Sequence, residues 1–449
     1  MTSDPRSPAA AGKRRHGRAV LEEKGAYVWV WLPGQTRPVV AGRVLFLDDR
    51  YRFAYGRSYR ERPDAIPLYL PELPIGEFLI DPPNGMDMAG CLRDALPDAW
   101  GRRVILNRVV GREAEDTDQL EEVTYMLESG SDRIGALDFQ HSATDFVARN
   151  PEAASLEELL TAAERIDQGI PLTPGLDGAL VHGSSIGGAR PKAGIEDAES
   201  KYVAKFSATN DTYPVVKGEF VAMRLAMLTG LDVAEVRLEK ALGKDVLLVR
   251  RFDRERVEEA SGARWTRRMM VSSLTIFGLE EMMGRYASYQ VLTDIVRLRF
   301  NEPKQTLEEL FGRLVFNVLV GNTDDHARNH AAFWDGRMLH LTPAYDICPQ
   351  PRTGGEASQS MTILGLRRES RLGLCLEAAP KFLLDQERAV AIVRRQISVI
   401  VRHWGEVCSA AGMEEVNRRF FWRRQFLNPS VFYGTEDLFA TELDRLDGM

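Results

Sequence analysis

From Tyr27 the hydrophobic pattern has a period of two, with Val28, Val30 and Leu32 alternating with Trp29 and Trp31. That alternation predicts a strand, and Gly34 supplies a turn to a returning strand over Val39 to Phe46. Phe53, Tyr55 and Tyr59 predict a third strand, so the first hundred residues begin with a small antiparallel sheet. The stretch from Pro63 to Pro83 is dense in proline and reads as irregular. Cys91 to Val110 predicts helix, interrupted at Leu96-Pro97-Asp98, and Leu156 to Ala163 predicts a short one. Asp167 to Gly188 is glycine-rich loop and turn, and Lys201 to Ser207 and Lys244 to Phe252 are strand-like. Between those strands Phe220, Met223, Leu225, Met227 and Leu228 follow helical spacing, stopping at Gly230.

Beyond Asp253 the period lengthens. Helices are predicted around Tyr289 to Phe300, Leu307 to Leu319, Gln386 to Trp404 and Glu414 to Phe426. In the third, Val390, Val393, Ile397, Ile400 and Trp404 form one apolar stripe. The layout is therefore mixed β/α to about residue 253 and mostly helix afterwards.

Composition narrows the class. The chain has 449 residues, 44% hydrophobic, which suits two or three core-forming units and excludes a wholly disordered chain. Four scattered cysteines (Cys91, Cys348, Cys375, Cys408) with no CxxC pair exclude a small disulfide-stapled scaffold and suggest no structural zinc site. They imply reduced thiols and a cytoplasmic setting. Lys and Arg number 58 against 65 Asp and Glu, a net charge of −7, which disfavours nucleic acid as the main partner. Lys13, Arg14, Arg15 and Arg18 precede no apolar run, so residues 1–22 read as a disordered basic tail and not a signal peptide. No run of about 18 apolar residues occurs, so no membrane span is expected.

The most informative stretch is Gly321-Asn322-Thr323-Asp324-Asp325-His326-Ala327-Arg328-Asn329, which follows an apolar helix. Four residues separate Asp324 from Asn329, and Asp346 follows seventeen residues later. Phosphoryl transfer needs this layout: one carboxylate to take or orient a hydroxyl proton, then an amide oxygen and a second carboxylate for Mg²⁺. The motif alone is weak, and Asp324, Asp325 and Asn329 could equally cap a helix beginning near His326. No second His or Cys stands at ligand spacing from His326, which reads as structural.

Lys205, in a predicted strand, supplies a candidate cation for nucleotide phosphates, although an outward-facing lysine is the commoner situation. Upstream lies a Gly/Ser loop, Gly183-Ser184-Ser185-Ile186-Gly187-Gly188, able to bring backbone N–H groups to phosphate. It is neither a Walker A loop nor a G-x-G-x-x-G, and a plain flexible loop is the alternative. Glu219 either pairs with Lys205 or faces solvent in a first helical turn. Chain order gathers these weak signals: Gly-rich loop, strand lysine, helix glutamate, Arg250-Arg251-Phe252-Asp253, helices, D-x-x-x-x-N loop, then Asp346. That is the order of a two-lobed kinase.

At these residues the sequence resembles the HipA family of bacterial serine/threonine kinases, the toxins of HipA–HipB type II toxin–antitoxin pairs. Val28 to Phe78 is similar to the family's N-terminal β subdomain, and Asp94-Ala95-Leu96-Pro97-Asp98-Ala99-Trp100-Gly101-Arg102 to its L-P-D-x-W-G-R signature. Arg133-Ile134-Gly135-Ala136-Leu137, Arg251-Phe252-Asp253-Arg254, the Gly321–Asn329 loop and Pro343-Ala344-Tyr345-Asp346 extend the resemblance over nearly the whole chain past the tail. It implies an α+β, two-lobed protein-kinase-like fold with a β-rich N-lobe, an added N-terminal β subdomain and an all-helical C-lobe. The expected divisions are 1–22, 23–115, 116–253 and 254–449.

The resemblance further implies ATP and Mg²⁺ as cofactors, with Asp324 as catalytic base and Asn329 and Asp346 on the metal. It places Lys205 on the phosphates, Ser184, Ser185, Ile186, Gly187 and Gly188 around them, and Arg250 and Phe252 beside the adenine. Ser185 matches the loop serine that family members autophosphorylate, with Ser184 adjacent. A phosphoserine there would set negative charge where the ATP phosphates sit. Implied partners are a HipB-like helix-turn-helix antitoxin, DNA mainly through it, and a protein substrate such as an aminoacyl-tRNA synthetase. Two departures stand out: Arg250 replaces the family's glutamate, and Arg190-Pro191-Lys192 replaces a Q-E-K stretch. Competing readings are a small-molecule or phosphoinositide-type kinase, whose loops share this spacing, and a pseudokinase that only binds an antitoxin or DNA, as a transcriptional co-regulator.

Overall fold

Strand β1 (Gly25–Val30) lies between β2 (Val39–Leu47) and β4 (Leu137–Gln140), with β3 (Arg50–Tyr55) on the outer side of β2. The β1–β2 and β1–β4 pairs are antiparallel, as is β2–β3. A register shift between Val28 and Trp29 re-aims the following side chains, and Trp29, Val30, Trp31 and Leu32 are all buried. The predicted three-stranded sheet is therefore present, with β4 added from a stretch too short to show a period. Tyr59 is not in β3: it lies in a helical turn, fully buried, its hydroxyl donating to the Ile66 carbonyl at 2.7 Å.

This computed structural model describes residues 24–110, 119–149, 154–168, 170, 190–208, 211–352 and 354–447. The expected tail over 1–22, the Gly183–Gly188 loop and the division placed at 115 lie outside them.

Helix α1 (Ala99–Val109) begins after Pro97, with the Asp98 carboxylate accepting from Trp100 N at 3.1 Å and Gly101 N at 3.2 Å. Helix α2 (Leu156–Asp167) opens with a complete capping box from Ser155 and Glu158. Both pack on a second antiparallel sheet of order β5-β6-β8-β7, formed by Lys192–Glu196, Lys201–Phe206, Lys244–Arg250 and Val236–Ala241. Alternation decides which way each strand residue points. Ala204 and Phe206 in β6, with Val246 and Leu248 in β8, cluster with Trp100, Leu159 and Leu160 on one face. Val203, Leu247 and Val249 join the main core on the other face. Lys205 pairs directly with Leu247, so it shares that second face and is 8% exposed. The outward-facing alternative for Lys205 is thereby corrected.

The second lobe is built round α5 (Pro303–Val320), which follows α4 (Tyr289–Arg299). Leu310, Phe311, Leu314, Val315, Phe316, Val318 and Leu319 are all fully buried there. Gly321 ends α5 at φ +68, and a Cβ there would meet the Gln425 carbonyl oxygen at 2.8 Å. Helix α6 (Gln386–Ala410) buries the predicted stripe of Val390, Val393, Ile397, Ile400 and Trp404.

The α+β, two-lobed expectation holds, but the second lobe is not helix alone. A hairpin of β9 (Arg254–Glu259) and β10 (Gly262–Arg267) opens it, and β11 (Met270–Ser272), β12 (Ala331–Trp334) and β13 (Leu339–Leu341) form a three-stranded sheet. Arg-Glu-Arg-Val-Glu-Glu carries no apolar alternation, and strands of three or four residues are shorter than a period can reveal. The helix expected over 414–426 stops at Phe421. Arg423 and Leu427 take positive φ, turning the chain back so that Leu427 N donates to the Leu319 carbonyl at 2.7 Å, beside the end of α5.

Candidate active site

Lys205 reaches across to α3 (Val215–Leu228), where its ammonium donates to Glu219 Oε1 at 2.5 Å, and its second acceptor is Asp346 Oδ1. Glu219 is 4% exposed, so it is not a solvent-facing residue of a first turn. Asp346 sits at φ +59, a left-handed conformation that aspartate tolerates better than most residues. It follows Ala344, whose N–H donates to the Asp232 carbonyl at 2.8 Å and whose carbonyl accepts from Ala234 N at 2.9 Å. These bonds tie the segment carrying Asp346 to the chain leading into β7.

Burial opposes ionisation of Asp346, but the Lys205 ammonium, then that of Lys192, holds its carboxyl well below the usual range. For Lys205 burial acts downward, and Asp346 and Glu219 overcome it, raising its proton affinity. Glu219 is pushed up by burial, with Lys205 opposing. The cluster thus sets an ionised Asp346 against a charged lysine.

The Gly321–Asn329 loop contains no α-helix for its carboxylates to cap. Only a three-residue 3-10 turn, Ala327–Asn329, is present, and it has no side-chain cap. Asp324 is exposed, and burial raises its carboxyl above the usual range, with the Asp346 and Asp325 charges adding to it and His326 opposing. A raised carboxyl that still reaches solvent suits proton acceptance. Asn329 is 9% exposed and donates through Nδ2 to the Asp324 carbonyl at 3.1 Å, which leaves its side-chain oxygen for another partner. His326 helps shape the turn, its N–H donating to the Asp324 carbonyl and its carbonyl accepting from Asn329 N, each at 2.9 Å.

Phe252 is half-buried against Tyr345 at 5.7 Å and Phe333 at 6.0 Å between ring centroids. Tyr345 in turn donates to the Arg328 carbonyl at 2.7 Å. Lys205, Glu219 and Asp346 are thus joined directly, Asp324 and Asn329 through the loop backbone, and Phe252 through Tyr345. Arg250 stands apart: its exposed guanidinium meets Glu235 at 2.9 Å. Ser184, Ser185, Ile186, Gly187 and Gly188 lie outside the described residues.

Sequence reasoning missed Lys192. It is 6% exposed on β5, directly opposite Lys205, and burial lowers its proton affinity while Asp346 and Asp98 work the other way. Like charges face to face across a ladder are unfavourable, and here the carboxylates of Asp346, Glu219 and Asp98 offset them. The position of Lys192, just past a Gly/Ser loop, was the available signal. Trp100 donates through its indole to the Lys192 carbonyl at 3.2 Å, and burial pushes the Asp98 carboxyl up to about 6. The Leu96–Arg102 motif therefore docks on the lysine strand.

The Arg251–Arg254 segment has a structural role. Asp253 accepts from both arginines, 2.8 Å from Arg251 and 2.9 Å from Arg254, and from Gly135 N at 2.8 Å. The arginines continue to the Arg133 carbonyl and to Asp132. Burial would raise the Asp253 carboxyl, yet the arginines hold it down at about 2. This network fastens the N-terminal β subdomain to the lobe junction.

Residues 30–140 match the HipA N-terminal domain and residues 184–404 the HipA-like C-terminal domain. The chain belongs to the HipA family. Its two family domains account for the β subdomain and for the kinase-like lobes. Among relatives of this chain, the putative kinase Y4mE of Sinorhizobium fredii is 28% identical over 32% of this chain and 33% of its own length. The serine/threonine-protein kinase toxin HipA of Shewanella oneidensis is 27% identical over 33% of this chain and 36% of its own. The chain thus spans about a third of the length of each of these curated relatives. In fold it is similar to a chain of the Shewanella oneidensis MR-1 complex of HipA, HipB and operator DNA. That match has a TM-score of 0.67 at 17% identity and covers 94% of this chain and 99% of the other.

Proposed function

We propose that this HipA-family chain is an ATP- and Mg²⁺-dependent serine/threonine protein kinase, the toxin of a type II toxin–antitoxin pair. The observation that carries the reading is the joining of Lys205 to both Glu219 and Asp346 in one buried cluster beside the Asp324–Asn329 loop. Asp324 takes the proton of a substrate Ser or Thr hydroxyl as that oxygen bonds to the γ-phosphorus and the bond to the leaving ADP oxygen breaks. Lys205 and Lys192 hold the phosphates, and Phe252 flanks the adenine, with the Arg250 backbone alongside.

The donor set suits magnesium. Asp346 is ionised, and the Asn329 side-chain oxygen is left over once Nδ2 is engaged, so these two would hold the ion. Among the described residues no group of three or more His, Cys, Asp or Glu is placed to hold a metal ion. When bound, the ion neutralises phosphate charge.

On the same reading Ser185 is the autophosphorylated serine, which shuts the kinase off by placing charge in the phosphate site. The partner is a HipB-like antitoxin, through which DNA is mainly contacted, and a net charge of −7 agrees with that division. The functional divisions are 23–115, 116–253 and 254–449, and the setting is cytoplasmic. No described helix is long and apolar enough to cross a membrane. Expression in a bacterial host tests the toxin reading: the wild-type chain should arrest growth and Asp346→Ala should relieve it. Equal toxicity of the two would contradict it.

A further inference from the structure

Asp324 and Asp325 are consecutive, yet they have opposite environments. Asp324 is exposed and Asp325 is 1% exposed. Asp325 accepts from His330 Nε2 at 2.8 Å and from the hydroxyl of Tyr289, the first residue of α4. The Tyr289 hydroxyl also lies 3.2 Å from His330 Nε2, and the two rings meet edge to face at 5.5 Å. Tyr289 and His330 are 0% and 3% exposed. His330 is itself fixed, its carbonyl accepting from Ser273 N at 2.7 Å. Asn317, from the last turn of α5, anchors the loop entrance by accepting from Asn322 Nδ2 at 3.1 Å.

We propose that Tyr289, Asp325 and His330 form a clamp that positions the catalytic loop, and that Asp325 is its central positioning residue. A nine-residue loop with polar side chains has no apolar reason to hold one shape, so its geometry must come from such fixed points. The clamp draws the middle of the loop onto α4 and the start of β12. That leaves Asp324 facing the cleft and brings the Asp324 carbonyl to Asn329, whose side chain is thereby oriented. Asp325 is too deeply buried to touch substrate, so it acts only through its neighbours. This inference rests on the reading of Asp324 as the base. It adds a device that the spacing of Asp324 and Asn329 does not reveal.

The full chain tests it with two variants, Tyr289→Phe and Asp325→Asn, each compared with wild type per folded molecule. Tyr289→Phe keeps the ring packing and removes only the hydroxyl, so it remains informative if Asp325→Asn folds poorly. Because misplacement by about 1 Å can cost on the order of a hundredfold in rate, kcat should fall at least about tenfold. The KM for ATP should stay within about twofold, since the phosphate lysines are untouched. Amide hydrogen exchange over residues 322–330 should quicken. Unchanged kcat per folded molecule with unchanged exchange in that loop would overturn the clamp, as would a parallel loss of kcat, ATP affinity and folded fraction. If the wild-type chain transfers no phosphate at all, the reading of Asp324 fails instead, and the exchange measurement alone decides whether the clamp holds the loop.

Discussion

Replacing Lys205 with Met removes one ammonium from between two carboxylates and keeps most of the side-chain stem. The lysine and Glu219 side chains are 11% and 5% exposed, while Asp346 is 36% exposed. Breaking a buried ion pair by deleting one partner costs roughly 3–5 kcal/mol, and the partial exposure of Asp346 places this case at the lower end, about 3 kcal/mol. A second substitution, Glu219→Gln, removes the orphaned buried charge, so the double variant should be less destabilised than the sum of the singles by about 1–2 kcal/mol. The sign with pH follows from the shifts. The depressed Asp346 carboxyl contributes stability above its unfolded value of about 3.9 and loses it as pH falls through its folded value. Lys205, whose proton affinity is raised, contributes below about 10.4 and loses that as pH rises through its folded value. The Lys205→Met penalty should therefore shrink as pH falls below about 4, where the Asp346 carboxyl begins to protonate, and as it rises past about 10. Native-state hydrogen exchange of the β6 and β8 amides reads the local opening free energy directly. A penalty under about 1 kcal/mol at neutral pH, or one that does not shrink in acid, would refute the buried-cluster account.

Two further substitutions separate the binding and structural roles. Lys192→Met should raise the KM for ATP about tenfold with little change in kcat, because it removes a phosphate contact and no proton-transfer group; steady-state kinetics at varied ATP checks this. Asp253→Asn should loosen the junction between the β subdomain and the lobes. A carboxyl held at about 2 contributes on the order of 2 kcal/mol, present above about pH 4 and lost as pH falls toward 2. Acid unfolding followed by tryptophan fluorescence should therefore be shallower for Asp253→Asn than for wild type over that window.

Much of this was legible in the sequence where period or punctuation was long enough to register. The α6 stripe from Val390 to Trp404, the Gly321 stop and the Pro97 break all emerged as expected, the first from a repeated spacing and the others from one residue type at one position. The short strands β9 to β13 did not, since three to six residues of charged or mixed character carry no readable alternation. At the site, the spacing of Asp324, Asn329 and Asp346 pointed to the loop and the segment on which the proposed function rests. Whether Lys205 faced inward could not be read locally: it depended on which face of the sheet α1 and α2 covered. Lys192 and the Tyr289 contacts to Asp325 and His330 were hidden for the same reason, being pairings on opposite strands or between residues far apart in the chain. The Arg251–Asp253–Arg254 motif was recognised by its letters, but its link to Asp132 and Gly135 is a property of the folded junction.

The most direct test of the central claim is the rate of γ-phosphate transfer from labelled ATP in the presence of Mg²⁺, measured side by side for the wild-type chain and Asp324→Ala. Loss of the base and its positioning should lower the rate by at least about two orders of magnitude, with ATP binding retained. Transfer by the variant at the wild-type rate would contradict the assignment of this cleft as a kinase active site.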